Sequence, residues 1–135
     1  MKMDYETLYR RIGFLFYAEA ARRKRLTSSD YEKLENIVKE KWPAENGDPK
    51  WIHLVDELFL AVKDAYRESM QAGEASQLFK LYYASHAIAF SESLKNKIVA
   101  TSQEIEREFA VNGNHNGGVN ALALERLFQT KTELQ

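Results

Sequence analysis

The chain predicts an all-α fold on three observations. Apolar residues recur at three- and four-residue spacing over several long stretches, and none of them shows the strict alternation of a half-buried strand. Only six glycines and two prolines punctuate 135 residues, which favours long helices over many short elements. The expectation is one compact domain over residues 1–135, a bundle of about six helices without an internal repeat. A chain of this length buries roughly two-thirds of the surface its unfolded form exposes, so it needs no staples to fold.

Each helix has its own signature. Tyr5, Leu8, Ile12, Leu15 and Phe16 place one stripe on a first helix running from Tyr5 to about Lys24. Thr27 or Ser28 can cap the second helix, with Asp30 adding negative charge at its positive end. Tyr31, Leu34, Val38 and Trp42 form its buried stripe, and Pro43 stops it. Asp48-Pro49 supplies a cap and a first helical position for a long third helix, on which Trp51 or Ile52, Val55, Leu58, Phe59, Val62 and Tyr66 face the core. Gly73 is the expected left-handed cap at the end of that helix. A fourth helix covers about Glu74–Ile88 with Leu78, Phe79, Tyr82 and Tyr83 inward. Ser91 opens a fifth, carrying Leu94, Ile98, Ile105 and Phe109. The stretch Asn112–Gly118 holds three glycines and reads as a flexible connector to a last helix, Asn120 to about Thr130.

Composition narrows the function classes. There are no cysteines, hence no disulfides, thiolate metal sites or thiol nucleophiles. A net charge of -1 argues against a dedicated nucleic-acid binder. Residues 1–42 nevertheless hold ten Lys/Arg against seven Asp/Glu, mostly because of the run Arg22, Arg23, Lys24, Arg25. No apolar run approaches the ~20 residues of a membrane span, and Asp4 and Glu6 precede any apolar segment that could act as a signal peptide. A cytoplasmic location is the expectation.

The order of parts from Leu15 to Leu34, an aromatic-rich helix end, a short polar turn and then Thr-x-x-acid, resembles the TerB-like family of bacterial helical domains linked to tellurite resistance and stress responses. The surroundings of Tyr82-Tyr83, the helix start Ser91-Glu92-Ser93-Leu94-Lys95 and the final Ala121-Leu122-Ala123-Leu124 are also similar to a Bacteroidetes-type branch of it. The resemblance covers most of the chain. It implies a helical interaction domain in a stress or envelope-associated response. In the family, acidic residues near the first turn are thought to bind a divalent cation. This chain has Arg22 and Arg23 where the family usually has an acidic residue, leaving Asp30 and Glu32 as the nearby carboxylates. A cation at ~4 Å from another repels it by about 4 kcal/mol at an effective dielectric of 20, so metal is not expected at this turn.

Other candidate sites are sparse. His53 with Asp56 and Glu57, at i+3 and i+4, share a helix face and form a weak metal candidate against the simpler account of an exposed polar face. Glu104 and Glu108, with Arg107 between them, read as solvated surface. Glu19 continues the stripe Ile12–Leu15–Phe16 by one turn, where an unpaired carboxylate is costly to bury; either Arg23 pairs with it or it lies at the helix margin. His86 lies beside the Tyr82 stripe, and His115 belongs to the glycine-rich stretch. No nucleophile elbow, His–carboxylate relay or phosphate loop is present, so neither catalysis nor a cofactor is expected. The functional expectation is a non-enzymatic module that binds a protein partner or a second copy of itself. Its interaction surface would be Arg22, Arg23, Lys24 and Arg25 together with Phe14 and Tyr17, aromatics left over for a second contact with another helix or a partner chain. The rival expectation is a sensor of a divalent cation or small ligand, using His53, Asp56 and Glu57 or a crevice at Tyr82 and Tyr83.

Overall fold

The first helix, α1 (Tyr5–Ala21), is enclosed by the others. In the computed structural model, which describes residues 4–43, 49–109 and 123–129, ten of its seventeen residues are buried. They run without interruption from Leu15 to Ala20, so the burial is not confined to one stripe. Such a helix is the core of the bundle rather than one of its walls. Around it stand α2 (Ser28–Lys41), α3 (Pro49–Arg67), α4 (Ala72–His86), a 3-10 turn (Ala87–Ala89), α5 (Glu92–Phe109) and a helical segment, α6, at 123–129. The fold is all-helical and compact, and no strand occurs among the described residues.

The helix ends follow local chemistry. Asp4 caps α1 by accepting from the Thr7 amide. The Thr27 hydroxyl accepts from the Asp30 amide while Asp30 accepts from the Thr27 amide, a reciprocal capping box that satisfies two otherwise orphaned donors. Ser91 Oγ accepts from the Leu94 amide at the start of α5. Two boundaries differ from expectation. Helix α1 ends at Ala21, before the cationic run. Helix α3 ends at Arg67, where Ser69 rather than Gly73 adopts the left-handed conformation (φ 53°). There the Ser69 amide donates to Tyr66 O at 3.1 Å and the Met70 amide to Ala65 O at 3.0 Å, which closes a Schellman-type cap. Gly73 lies in the first turn of α4 instead.

Helix α1 packs closely on α3 because Gly13 has no side chain: a Cβ there would stand 2.5 Å from Leu58 O and 2.9 Å from Ala61 Cβ. It runs antiparallel to α4. At one end the Tyr82 hydroxyl donates to Asp4 O (3.3 Å), and at the other the Tyr17 hydroxyl donates to Met70 O just before α4. Trp42, fully buried, ties the end of α2 to α5 by donating Nε1–H to Thr101 Oγ1 at 2.8 Å. Tyr9, Phe16 and Trp51 pack around its indole with centroid distances of 6.1, 5.9 and 6.2 Å. No helix among the described residues is long and apolar enough to cross a membrane.

Candidate functional site

Two neighbouring features at the C-terminal end of α1 carry the chemistry of the molecule. The first is the cationic turn. Arg22, Arg23, Lys24 and Arg25 are all exposed, and they border a groove of about 390 Å³ against the α3–α4 connection and the first turn of α4, Ser69 to Gly73. Arg25 donates to Ser69 Oγ at 2.9 Å, and Lys24 stands 3.8 Å from Asp30. Asp30 is held below its usual range first by the Thr27 backbone hydrogen bond, with help from Lys24 and Lys33. Its carboxylate is thus committed to the capping box, and the corner presents cations rather than a cluster of oxygen ligands.

Tyr17 and Phe14, expected to make a second contact with another helix or with a partner chain, are placed against the rest of this chain. Tyr17 is only 3% exposed. Its ring belongs to the core and its hydroxyl is spent on Met70 O at 2.7 Å, so it supports the groove from beneath. Burial accordingly raises its phenol pKa, and Arg25 lowers it in part. Phe14 is half-buried and packs against the core. Because α1 is surrounded on more sides than a wall helix, its second aromatic face meets neighbouring helices of the same chain, the first of those two alternatives.

The second feature is a crevice of about 550 Å³ between α1, α4 and α6. Leu15, Phe79, Leu124 and Leu127 give it apolar walls, and Glu19, Arg22, Ser76, Lys80 and Arg126 also line it. Glu19 is 7% exposed. Its Oε2 accepts from the Ser102 hydroxyl at 2.5 Å, while Oε1, also buried, finds no hydrogen-bond partner among the described residues. Burial pushes this carboxyl up to about 8; Ser102 works against that shift, Glu106 adds to it and Arg22 opposes it. Glu19 is therefore mostly neutral at pH 7. The sequence stripe had located it correctly among the core residues, but its hydrogen-bond partner is Ser102 on α5 and the cation acting on it is Arg22. A helix margin does not describe its surroundings.

The three residues of the weak metal candidate do not converge. His53 Nε2 lies 2.5 Å from Glu6 Oε2 on α1, which raises the His53 pKa. Glu57 instead pairs with Arg10 at 3.2 Å. Asp56 is exposed. No group of three or more His, Asp or Glu among the described residues is placed to hold a metal ion. Glu104 pairs with Arg107, in keeping with a solvated helix surface. His86 stacks on Tyr82 at a centroid distance of 4.1 Å, with Nδ1 3.1 Å from Tyr82 O. Tyr82 is half-buried and Tyr83 fully buried, so the latter is a core residue. Asp48, His115 and the glycine-rich stretch lie outside the described residues.

No family model matches the chain, and neither does any curated protein or solved structure.

Proposed function

We propose that this domain is a non-enzymatic interaction module that docks an acidic protein segment on the corner formed by Arg22–Arg25 and the α3–α4 connection. One observation carries it: four exposed cations border a groove whose opposite wall is tied down by the Tyr17–Met70 and Arg25–Ser69 hydrogen bonds. Guanidinium forks suit carboxylates, and a fixed array of like charges accelerates encounter with a partner of opposite sign. The groove also borders the start of α4, where Gln71 makes no side-chain cap and the first amides of the helix add a positive partial charge. The TerB-like resemblance of the sequence supports placing this module in a cytoplasmic stress or tellurite response.

The test is charge reversal at two exposed positions that border this groove, Arg23→Glu with Lys24→Glu, leaving Arg22 intact. Wild type and variant, matched in circular dichroism and melting point, are used as bait, and captured proteins are identified by mass spectrometry at low and high salt. The expected result is an acidic partner that the wild type retains at low salt, loses at high salt and never retains as the variant. Equal capture by both baits removes the cationic corner from consideration.

A further inference from the structure

We propose that the acidic segment carries a phosphorylated side chain, whose phosphate is held by the guanidinium groups of Arg25 and Arg67 and the hydroxyl of Ser69. This rests on the docking of an acidic segment at the cationic corner and adds the chemistry that the corner selects. The pocket concerned, of about 280 Å³, lies at the end of α3 and adjoins the docking groove, with which it shares Tyr17, Arg25 and Ser69.

Three observations carry it. Two arginines from different elements border one small pocket: Arg25 ends the cationic run, and Arg67 is the last residue of α3. No carboxylate lines that pocket, and neither guanidinium is in an ion pair among the described residues. Like charges brought to one pocket repel unless an anion stands between them. The polar groups are also accessible. Arg25, Arg67 and Ser69 are all exposed, whereas Tyr17 and Leu26 are buried and supply the floor. Finally, the donors are held in place without being used up. Arg25 Nη2 donates to Ser69 Oγ at 2.9 Å, which orients the guanidinium and leaves its other N–H groups and the Ser69 O–H for a ligand. Ser69 sits in a left-handed conformation (φ 53°) that glycine adopts more readily, so the serine is retained at a conformational cost. What it supplies in return is the hydroxyl on Arg25. The bonds from the Ser69 amide to Tyr66 O, from the Met70 amide to Ala65 O and from the Tyr17 hydroxyl to Met70 O fix the backbone on which this hydroxyl stands.

Charge and size select the ligand. A phosphate monoester brings about two negative charges to the two guanidiniums, and its terminal oxygens can each meet a different donor, which a single carboxylate cannot offer. A pocket of about 280 Å³ falls just below the roughly 300–1,000 Å³ of whole-ligand sites, so it suits one headgroup of a longer molecule better than an entire metabolite. Because it adjoins the cationic groove, a chain that places its phosphate between Arg25 and Arg67 can lay neighbouring carboxylates along Arg22, Arg23 and Lys24. A nucleic-acid strand fits less well, since each of its phosphodiesters carries a single charge and continues on both sides.

The experiment is fluorescence anisotropy of the full chain with three labelled peptides at about pH 7.5, where a phosphate monoester is close to fully ionised. One is a glutamate-rich peptide with a central phosphoserine, the second has serine there, and the third has two glutamates there to match the charge. The phosphopeptide is expected to bind at least about tenfold tighter than the serine peptide and at least about threefold tighter than the charge-matched one. Arg67→Ala should bring the phosphopeptide down to the level of the charge-matched peptide. Ser69→Gly, which suits the left-handed position, should reduce the preference with the melting point at or above that of the wild type. Lys39→Ala, which removes an exposed cation of α2 outside the pocket, should leave the preference in place. Absence of binding, equal affinity for the three peptides, a preference unchanged in Arg67→Ala or lost equally in Lys39→Ala overturns the proposal, as does tighter binding of a single-stranded oligonucleotide of equal charge. The two readings fail separately. Salt-sensitive capture that the Arg23→Glu, Lys24→Glu variant loses, without a phosphate preference, removes this inference alone; equal capture by both baits with the preference intact removes the docking corner alone.

Discussion

At the scale of single residues, Glu19 links stability to pH. Burial puts its folded pKa at about 8 against 4.5 for an ordinary glutamate, so between those values the native state holds a proton that the unfolded chain releases. Below about pH 4.5 the acid is neutral in both states and folding bears no charge penalty. Between about pH 4.5 and about pH 8 the unfolded chain ionises while the folded state keeps its proton, so stability falls by an amount on the order of a few kcal/mol and then levels off. Glu19→Gln should therefore match the wild type near pH 4, exceed it progressively from about pH 5 to about pH 8 and keep a constant advantage above that, read from urea midpoints at several pH values. A constant offset between the two proteins would show that Glu19 does not titrate in that window. The residue was half legible in the sequence. The three- and four-residue rhythm of α1 landed on it, because periodicity reports which face is buried. Ser102, 83 positions away, was invisible, because no local pattern says which helix covers that face.

At the scale of elements, two glycines separate close approach from open space. Gly13→Ala places a methyl group 2.5 Å from the Leu58 carbonyl, an atom held in the α3 backbone, so α1 and α3 must move apart. A loss of about 1–3 kcal/mol in chemical denaturation is expected. Gly73→Ala meets nothing within 4 Å and sits in a helical first turn; it should be neutral or stabilise by up to about 1 kcal/mol. Reversal of that order would contradict the packing of α1 on α3. Helix starts were readable because caps are local: Thr27 with Asp30, Pro49 and Ser91 all stand where their chemistry requires. The end of α3 was not. Ser69 takes a left-handed conformation that glycine adopts more readily, so the nearby Gly73 was the stronger signal and the wrong one. Gly13 carries no sequence mark at all, since the contact that requires it lies on another helix.

At the scale of the whole molecule, the all-helical bundle was legible from period and punctuation, whereas the helix at its centre was not. The stripe predicted for α1 accounts for Leu8, Ile12 and Phe16 but not for Tyr9, Tyr17 and Ala20, which are buried as well. Tyr5, the first residue of the same stripe, is exposed, because the helix emerges from its neighbours there. The arrangement predicts an order of protection in hydrogen exchange. Amides of Ile12 to Ala18 should exchange only through global unfolding, while those of α2, with three buried residues, should open at lower free energy. Equal rates in the two helices would be inconsistent with a core organised around α1.

The central position of α1 also bears on synthesis. It leaves the ribosome before α3, α4 and α5, which together shelter it, and α5 ends at Phe109. At a translation rate of ~5–20 residues per second, an aromatic-rich rod waits on the order of ten seconds for its last covering helix. During that interval Leu8, Ile12, Phe16 and Tyr17, all buried in the finished fold, lack the helices that cover them.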